Sequence, residues 1–221
     1  MIAGLRAVWR GLKHFNQAGH LYIWCNIAWI LLTLPVLTAP AAWAGMIRLS
    51  WTIQRQPTAS WSDFWQGFRE NLRRGVVIAL ANVAYFAVLA INWTSYAPAQ
   101  GFIFDVLRGM WLLMTVLVIV VQLYIGPLYY AMDHPTLRGA LRNALVMVLL
   151  NPLFTLALLV CVAIIAVLST MLPVIWMLVT GGALAAVMTT AVIDRLRAAG
   201  ILPPEDPASY VVDPSFDDVL G

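Results

Sequence analysis

The chain reads as an all-α polytopic membrane bundle of about six crossings, with amphipathic interfacial helices and both termini on the cytoplasmic side. Three observations predict this. The chain is 62% hydrophobic and only 10% charged, whereas a soluble domain carries about 25% charged residues. A surface so poor in charge is not solvated by water, so lipid is the solvent for much of it. Second, the apolar residues fall into several uncharged runs of spanning or near-spanning length. Third, the basic residues gather on one side of the resulting topology. No segment is long and polar enough for a second, soluble domain.

Residues 1–18 predict an interfacial amphipathic helix. Leu5, Val8, Trp9, Leu12 and Phe15 recur at helical spacing, with Arg6, Arg10 and Lys13 off that stripe. A single transmembrane domain is expected over residues 19–200. It opens with an uncharged apolar run at 21–37, short for a span, and a weaker run at 40–52 interrupted by Arg48. The turn between them holds Pro35, Thr38 and Pro40, and Pro40 suits a first helical turn because its missing N–H has no partner there. The pair reads as a short spanning hairpin, the alternative being a span followed by a re-entrant helix. The basic leader, apolar run and Ala42-Trp43-Ala44 imitate a secretory signal, but the run exceeds a signal core and cleavage is not expected.

Residues 60–74 predict a second amphipathic helix. Ser60 and Asp63 resemble a capping box with Asp in place of Glu. Trp61, Phe64, Trp65, Phe68 and Leu72 form the apolar stripe, and Arg69, Arg73 and Arg74 follow. Aromatics favour the headgroup level and arginines anionic lipid, so this helix is expected to lie at the cytoplasmic interface. Four further spans follow at 75–91, 102–132, 144–168 and 172–193. The second is longer than a bilayer needs and is expected to tilt or to break at Gly126-Pro127. Gly181 and Gly182, with Ala185 and Ala186 four residues on, allow close helix approach in the last.

With six crossings and both termini inside, every Lys and Arg except Arg108 falls on the cytoplasmic side, a strong positive-inside pattern. That pattern orients the bundle in its membrane, with both termini on the cytoplasmic side. Residues 201–221 carry acidic residues and prolines but no Lys or Arg; this tail is expected to be disordered. Arg69, Leu72, Arg73 and Asn82 can be laid over Arg138, Leu141, Arg142 and Asn151; this reads either as chance among arginines at cytoplasmic helix ends, the commoner case, or as a two-fold internal repeat like that of transporters built from two halves.

Nothing reads as an active site. His14, His20 and His134 sit near interfaces without ligand spacing. Cys25 and Cys161 stand alone in apolar runs, without a CxxC. Phosphate loops, GxSxG and HExxH are all missing. The chain is therefore expected not to be an enzyme and to hold no metal or cofactor. The polar residues left inside the spans are neutral: Asn26, Thr33, Asn82, Gln122, Asn151 and Thr180. They serve either as ties between helices or as the lining of a solute path, and the former is the commoner use. The partner expected on composition is the lipid bilayer, not nucleic acid; a homo-oligomer is compatible with the pattern.

Asn26, Trp29, Leu34-Pro35-Val36, Thr38 and Pro40, followed by Phe64, Phe68, Asn71 and Leu72, resemble the signature of the YesL family. These are small bacterial multi-span membrane proteins of unassigned function. Ala39 departs from the glycine that members carry there. Arg142-Asn143-Ala144-Leu145 and Asn151-Pro152 are similar to the family's second half. The resemblance implies a bacterial inner-membrane protein and, because some relatives are encoded beside sugar-uptake ABC transporters, an accessory role in carbohydrate import with ABC transporter membrane subunits as partners. It supplies no catalytic residue. Two other functions are carried beside it: a stand-alone small-solute permease or channel lined by the interior amides, and a lipid-binding or membrane-organising protein.

Overall fold

The computed structural model describes residues 2–56, 58–96 and 98–204; most of the acidic tail lies outside them. The described residues are helical throughout their ordered elements. In chain order these are α1 (Ile2–Gln17), α2 (Gly19–Thr33), α3 (Ala39–Ile53), α4 (Trp61–Tyr96), α5 (Phe102–Tyr130), α6 (Leu137–Leu150), α7 (Pro152–Met171), and a short α8 (Pro173–Ile175). The last runs through a π-helical turn at Trp176–Thr180 into α9 (Gly181–Ala198).

Among the described residues, four helices are long and apolar enough to cross a membrane: α4, α5, α7 and the continuous Trp176–Ala198 segment. The protein is a multi-pass membrane protein. The first two expected crossings are shorter. α2 and α3 have 15 residues each, about 22 Å of helix at 1.5 Å per residue, against a hydrocarbon core of about 30 Å.

Two boundaries differ from the sequence reading, and one alternative it left open is decided. The expected interfacial helix at 60–74 and span at 75–91 are one 36-residue helix, α4. Only Gly75 separates Arg74 from Val76, and a lone glycine weakens a helix without ending it, so the helix runs on. The expected span at 144–168 is two helices. Pro152 disfavours the α conformation at the residue before it, and Asn151 accordingly sits at φ −130°, ψ 55° between α6 and α7. At Gly126-Pro127, by contrast, α5 continues without a break, with Pro127 buried.

The core is built around α9. Of its most apolar window 72% is buried, against 11% for those of α4 and α5. Ala185, Ala186, Val187, Met188, Ala191 and Val192 are fully buried. α1 packs on α7 and α9 through a face of small residues, Gly4, Ala7, Val8 and Gly11. A Cβ on Gly11 would stand 2.5 Å from the Val187 Cα, so this approach is closed to any larger residue. The expected apolar stripe of α1 is therefore divided: Val8 turns inward, while Leu5 and Trp9 are exposed to the surrounding lipid or its interface.

α3 and the first half of α4 form an antiparallel pair. Gly75 lies against Ala41, and Gly45 against Phe64, where an added Cβ would meet the Phe64 carbonyl oxygen at 2.7 Å. Beyond Gly75, α4 outruns α3. Residues 76–96, roughly 30 Å of helix, leave α3 behind and run beside α5 with apolar side chains such as Val77, Leu80, Phe86 and Ile91 exposed. That is the surface a helix pair presents to lipid.

Candidate functional site

The α2–α3 turn is built from the residues the sequence singles out. Thr33 closes α2 by donating to the Ile30 carbonyl at 2.7 Å. Val36 adopts a left-handed φ of 56°, a conformation uncommon for a branched residue. Thr38 precedes α3, and its hydroxyl donates back to the Leu32 carbonyl of α2. Pro35 lies in the turn, where its carbonyl accepts from Leu37 N–H. Pro40 stands in the first turn of α3, where its lack of an N–H costs nothing.

Asn26 is fully buried on α2. Its amide donates to the Trp176 and Met177 carbonyls at 3.2 and 2.7 Å and accepts from Gly182 N–H at 3.1 Å. A π-turn shifts the helical hydrogen-bond register, and Asn26 ties α2 to the backbone on both sides of the shift. Gly181 makes room for this, since a Cβ there would meet Asn26 Oδ1 at 2.5 Å and the Trp29 ring at 2.7 Å. Thr180, buried, donates within the same turn to Ile175 at 3.4 Å.

The other interior amides occupy separate places. Asn82 and Gln122 join α4 to α5 by a reciprocal pair of hydrogen bonds, both 3.0 Å. Asn151 donates to the Met147 carbonyl and accepts from Arg195 at 3.4 Å, whose guanidinium lies 4.2 Å over the Phe154 ring. Asn26, Asn82–Gln122 and Asn151 thus stand at three different helix contacts.

The aromatic helix turns part of its stripe into the protein and leaves Trp61 exposed. Phe64 and Phe68 are buried, and the ring contacts Trp61–Phe64, Phe64–Trp65 and Trp65–Phe68 run at 5.6 to 6.0 Å. Its start is half a capping box: the Asp63 carboxylate accepts from Ser60 N–H at 2.8 Å. Arg69, Arg73 and Arg74 remain exposed. Asn71 is buried and bridges three helices, donating to Tyr130 Oη at 3.0 Å, whose hydroxyl donates in turn to the Ala44 carbonyl at 3.3 Å.

These elements surround a cavity of about 430 Å³. α2 and α3 contribute Trp29, Thr33, Pro40 and Trp43; α4 contributes Asn71, Arg74, Ile78 and Phe86; α5 contributes Ile119, Gln122, Leu123, Tyr129 and Tyr130. Its walls are mostly carbon, with Arg74, Asn71 and the two tyrosines clustered as one polar group and Thr33 and Gln122 as separate polar residues. Arg74 donates to Tyr129 Oη and lies 5.4 Å over its ring. The tie between Asn71 and the sequence-distant Tyr130, and the one between Arg74 and Tyr129, were not legible beforehand. The only hint was an adjacent tyrosine pair at the end of an apolar helix.

A second polar cluster also escaped the sequence reading. Tyr22 Oη donates to Ser50 Oγ at 3.0 Å, Gln54 donates to Ser50 Oγ and to the Ala186 carbonyl, and Thr190 donates to Gln54 Oε1 at 2.9 Å. It binds α2, α3 and α9 together. The i, i+4 spacing of Ser50 and Gln54 was the available signal.

Among the described residues, no three His, Cys, Asp or Glu side chains lie together where they would hold a metal ion. A family model described as "Protein of unknown function, DUF624" matches residues 22–93. No curated protein and no solved structure matches the chain. The matched region covers α2, the α2–α3 turn, α3 and most of α4, so it holds the hairpin and three of the four walls of the cavity.

Proposed function

We propose that the chain is a non-enzymatic accessory component of a carbohydrate uptake system, working beside the membrane subunits of an ABC transporter rather than as a path for solute. The observation that supports this is the use made of the interior amides. Asn26 makes three hydrogen bonds to the backbone around the π-turn, and Asn82 and Gln122 satisfy each other. A permease would draw such groups to one water-accessible track, and here they hold separate helix pairs together. The link to carbohydrate rests on the resemblance of residues 26–72 to the YesL family.

The topology that accompanies this reading has four crossings, by α4, α5, α7 and Trp176–Ala198. The α2–α3 hairpin enters and leaves on the cytoplasmic side of the cell membrane. Both termini are cytoplasmic. This arrangement keeps every Lys and Arg except Arg108 inside, as the six-crossing reading does, and it accommodates two helices too short to span.

Purification of the tagged chain from native membranes in mild detergent tests the proposal. Transporter membrane subunits should accompany it. Recovery of the chain alone, under conditions that keep other membrane complexes whole, would contradict it.

A further inference from the structure

The cavity between the α2–α3 hairpin and the α4–α5 pair has one apolar end and one cationic end. Phe86 and Ile119 line the apolar end and are each 43% exposed. They belong to the parts of α4 and α5 that face hydrocarbon, so the cavity opens sideways into the lipid. The cationic end is Arg74. It is exposed, held by Tyr129, and has no carboxylate partner among the described residues, whereas Arg48 nearby is paired with Glu70 at 2.5 Å. From Arg74 to Phe86 is about 18 Å along α4 at 1.5 Å per residue, close to one leaflet of a hydrocarbon core of about 30 Å.

We propose that this cavity binds an anionic phospholipid drawn from the leaflet on the Arg74 side. The phosphate accepts hydrogen bonds from the Arg74 guanidinium and the Tyr129 hydroxyl, and one acyl chain lies in the apolar groove. A guanidinium fits a phosphate because it offers parallel donors and is only weakly hydrated. The cavity's volume is that of a small-molecule site, and its lateral opening admits a chain from the bilayer without passage through water. A soluble anion has no use for the carbon-lined end, and a zwitterionic lipid carries its own headgroup cation, which competes with Arg74 for the phosphate. This inference stands apart from the sugar-uptake reading, because it is tested on the isolated chain.

The test is lipid retention by the full chain purified in neutral detergent and equilibrated with mixed micelles of phosphatidylglycerol or phosphatidylcholine, read by native mass spectrometry. Phosphatidylglycerol should be held more tightly, and Arg74→Gln should weaken it about tenfold, as expected for losing a hydrogen bond to a charged group. Arg74→Lys should keep the preference for phosphatidylglycerol. Ile119→Trp, which fills the groove and changes no charge, should weaken retention as much as Arg74→Gln. Arg73→Gln, beside the cavity but outside it, should weaken it least. Circular dichroism of each variant separates lost binding from lost folding. Equal retention of the two lipids would overturn the proposal. So would a silent Ile119→Trp with Arg73→Gln as damaging as Arg74→Gln, which would mean diffuse surface attraction. Displacement of the lipid by inorganic phosphate would overturn it in favour of a soluble anion.

Discussion

Asn26 on α2 accepts a 3.1 Å hydrogen bond from the backbone N–H of Gly182 on α9, 156 residues away in the chain. The same amide donates to the carbonyls of Trp176 and Met177. The contact fixes the hairpin to the most buried helix of the fold. It also explains Gly181, which leaves space for the amide and for Trp29, while Gly182 leaves space for Phe15 and Tyr22. Replacing Asn26 by Ala removes both donors and the acceptor from a fully buried site. We expect a stability loss of about 2 kcal/mol, read as an earlier thermal unfolding transition in detergent. An unchanged transition would mean that the π-turn holds without α2.

Close helix approach makes a second prediction. Gly45→Ala places a Cβ 2.7 Å from the Phe64 carbonyl oxygen, and Gly75→Ala places one 2.8 Å from Ala41. Each should cost about 1–3 kcal/mol through forced separation of α3 and α4. Gly109→Ala, with nothing within 4 Å, should be neutral or stabilise by up to about 1 kcal/mol through helix propensity. Unfolding measured on the three variants side by side decides it; equal effects would refute the packing.

The Asn82–Gln122 pair invites a double-mutant cycle with Ala at each position. As a helix tie, it should show a coupling of about 0.6 kcal/mol, and at most about 1.7, so that the double variant loses less than the two singles summed. Strict additivity would show that the two amides act independently.

Much of this was legible in the residues. The proline-marked turn, the Ser60–Asp63 start and the apolar length of α5 follow from local chemistry. The stripe of Phe64 and Phe68 was read as one helix face, but the surface of α3 on which those two rings pack was not. The same stripe suits a headgroup layer or a neighbouring helix, and the facing small residues of α3 decide between them. The continuity of α4 through Arg74 was missed because a change from polar to apolar sequence does not stop a helix. The break at Asn151 was missed although Pro152 signals it. The ties that organise the interior, Asn26 to α9 and Asn71 to Tyr130, join distant segments, and no periodicity records them.

Topology is tested by cysteine labelling in a chain whose Cys25 and Cys161 are replaced by Ala. A membrane-impermeant maleimide applied outside should label Gln100→Cys and leave Asp133→Cys untouched until the membrane is opened. Val36→Cys, at the hairpin tip, should stay unlabelled from outside if the hairpin re-enters. Labelling of Val36→Cys from outside would mean that α2 and α3 cross.

Sugar uptake by cells with and without the chain bears most directly on the proposed accessory role. Removal of the chain should lower uptake while the transporter's own membrane subunits remain in place. A chain carrying Asn82→Leu and Gln122→Leu, with its only interior α4–α5 amide pair among the described residues erased, should restore it, because no solute passes there. Uptake that is indifferent to the chain would contradict the account, as would sugar flux through liposomes containing the chain alone.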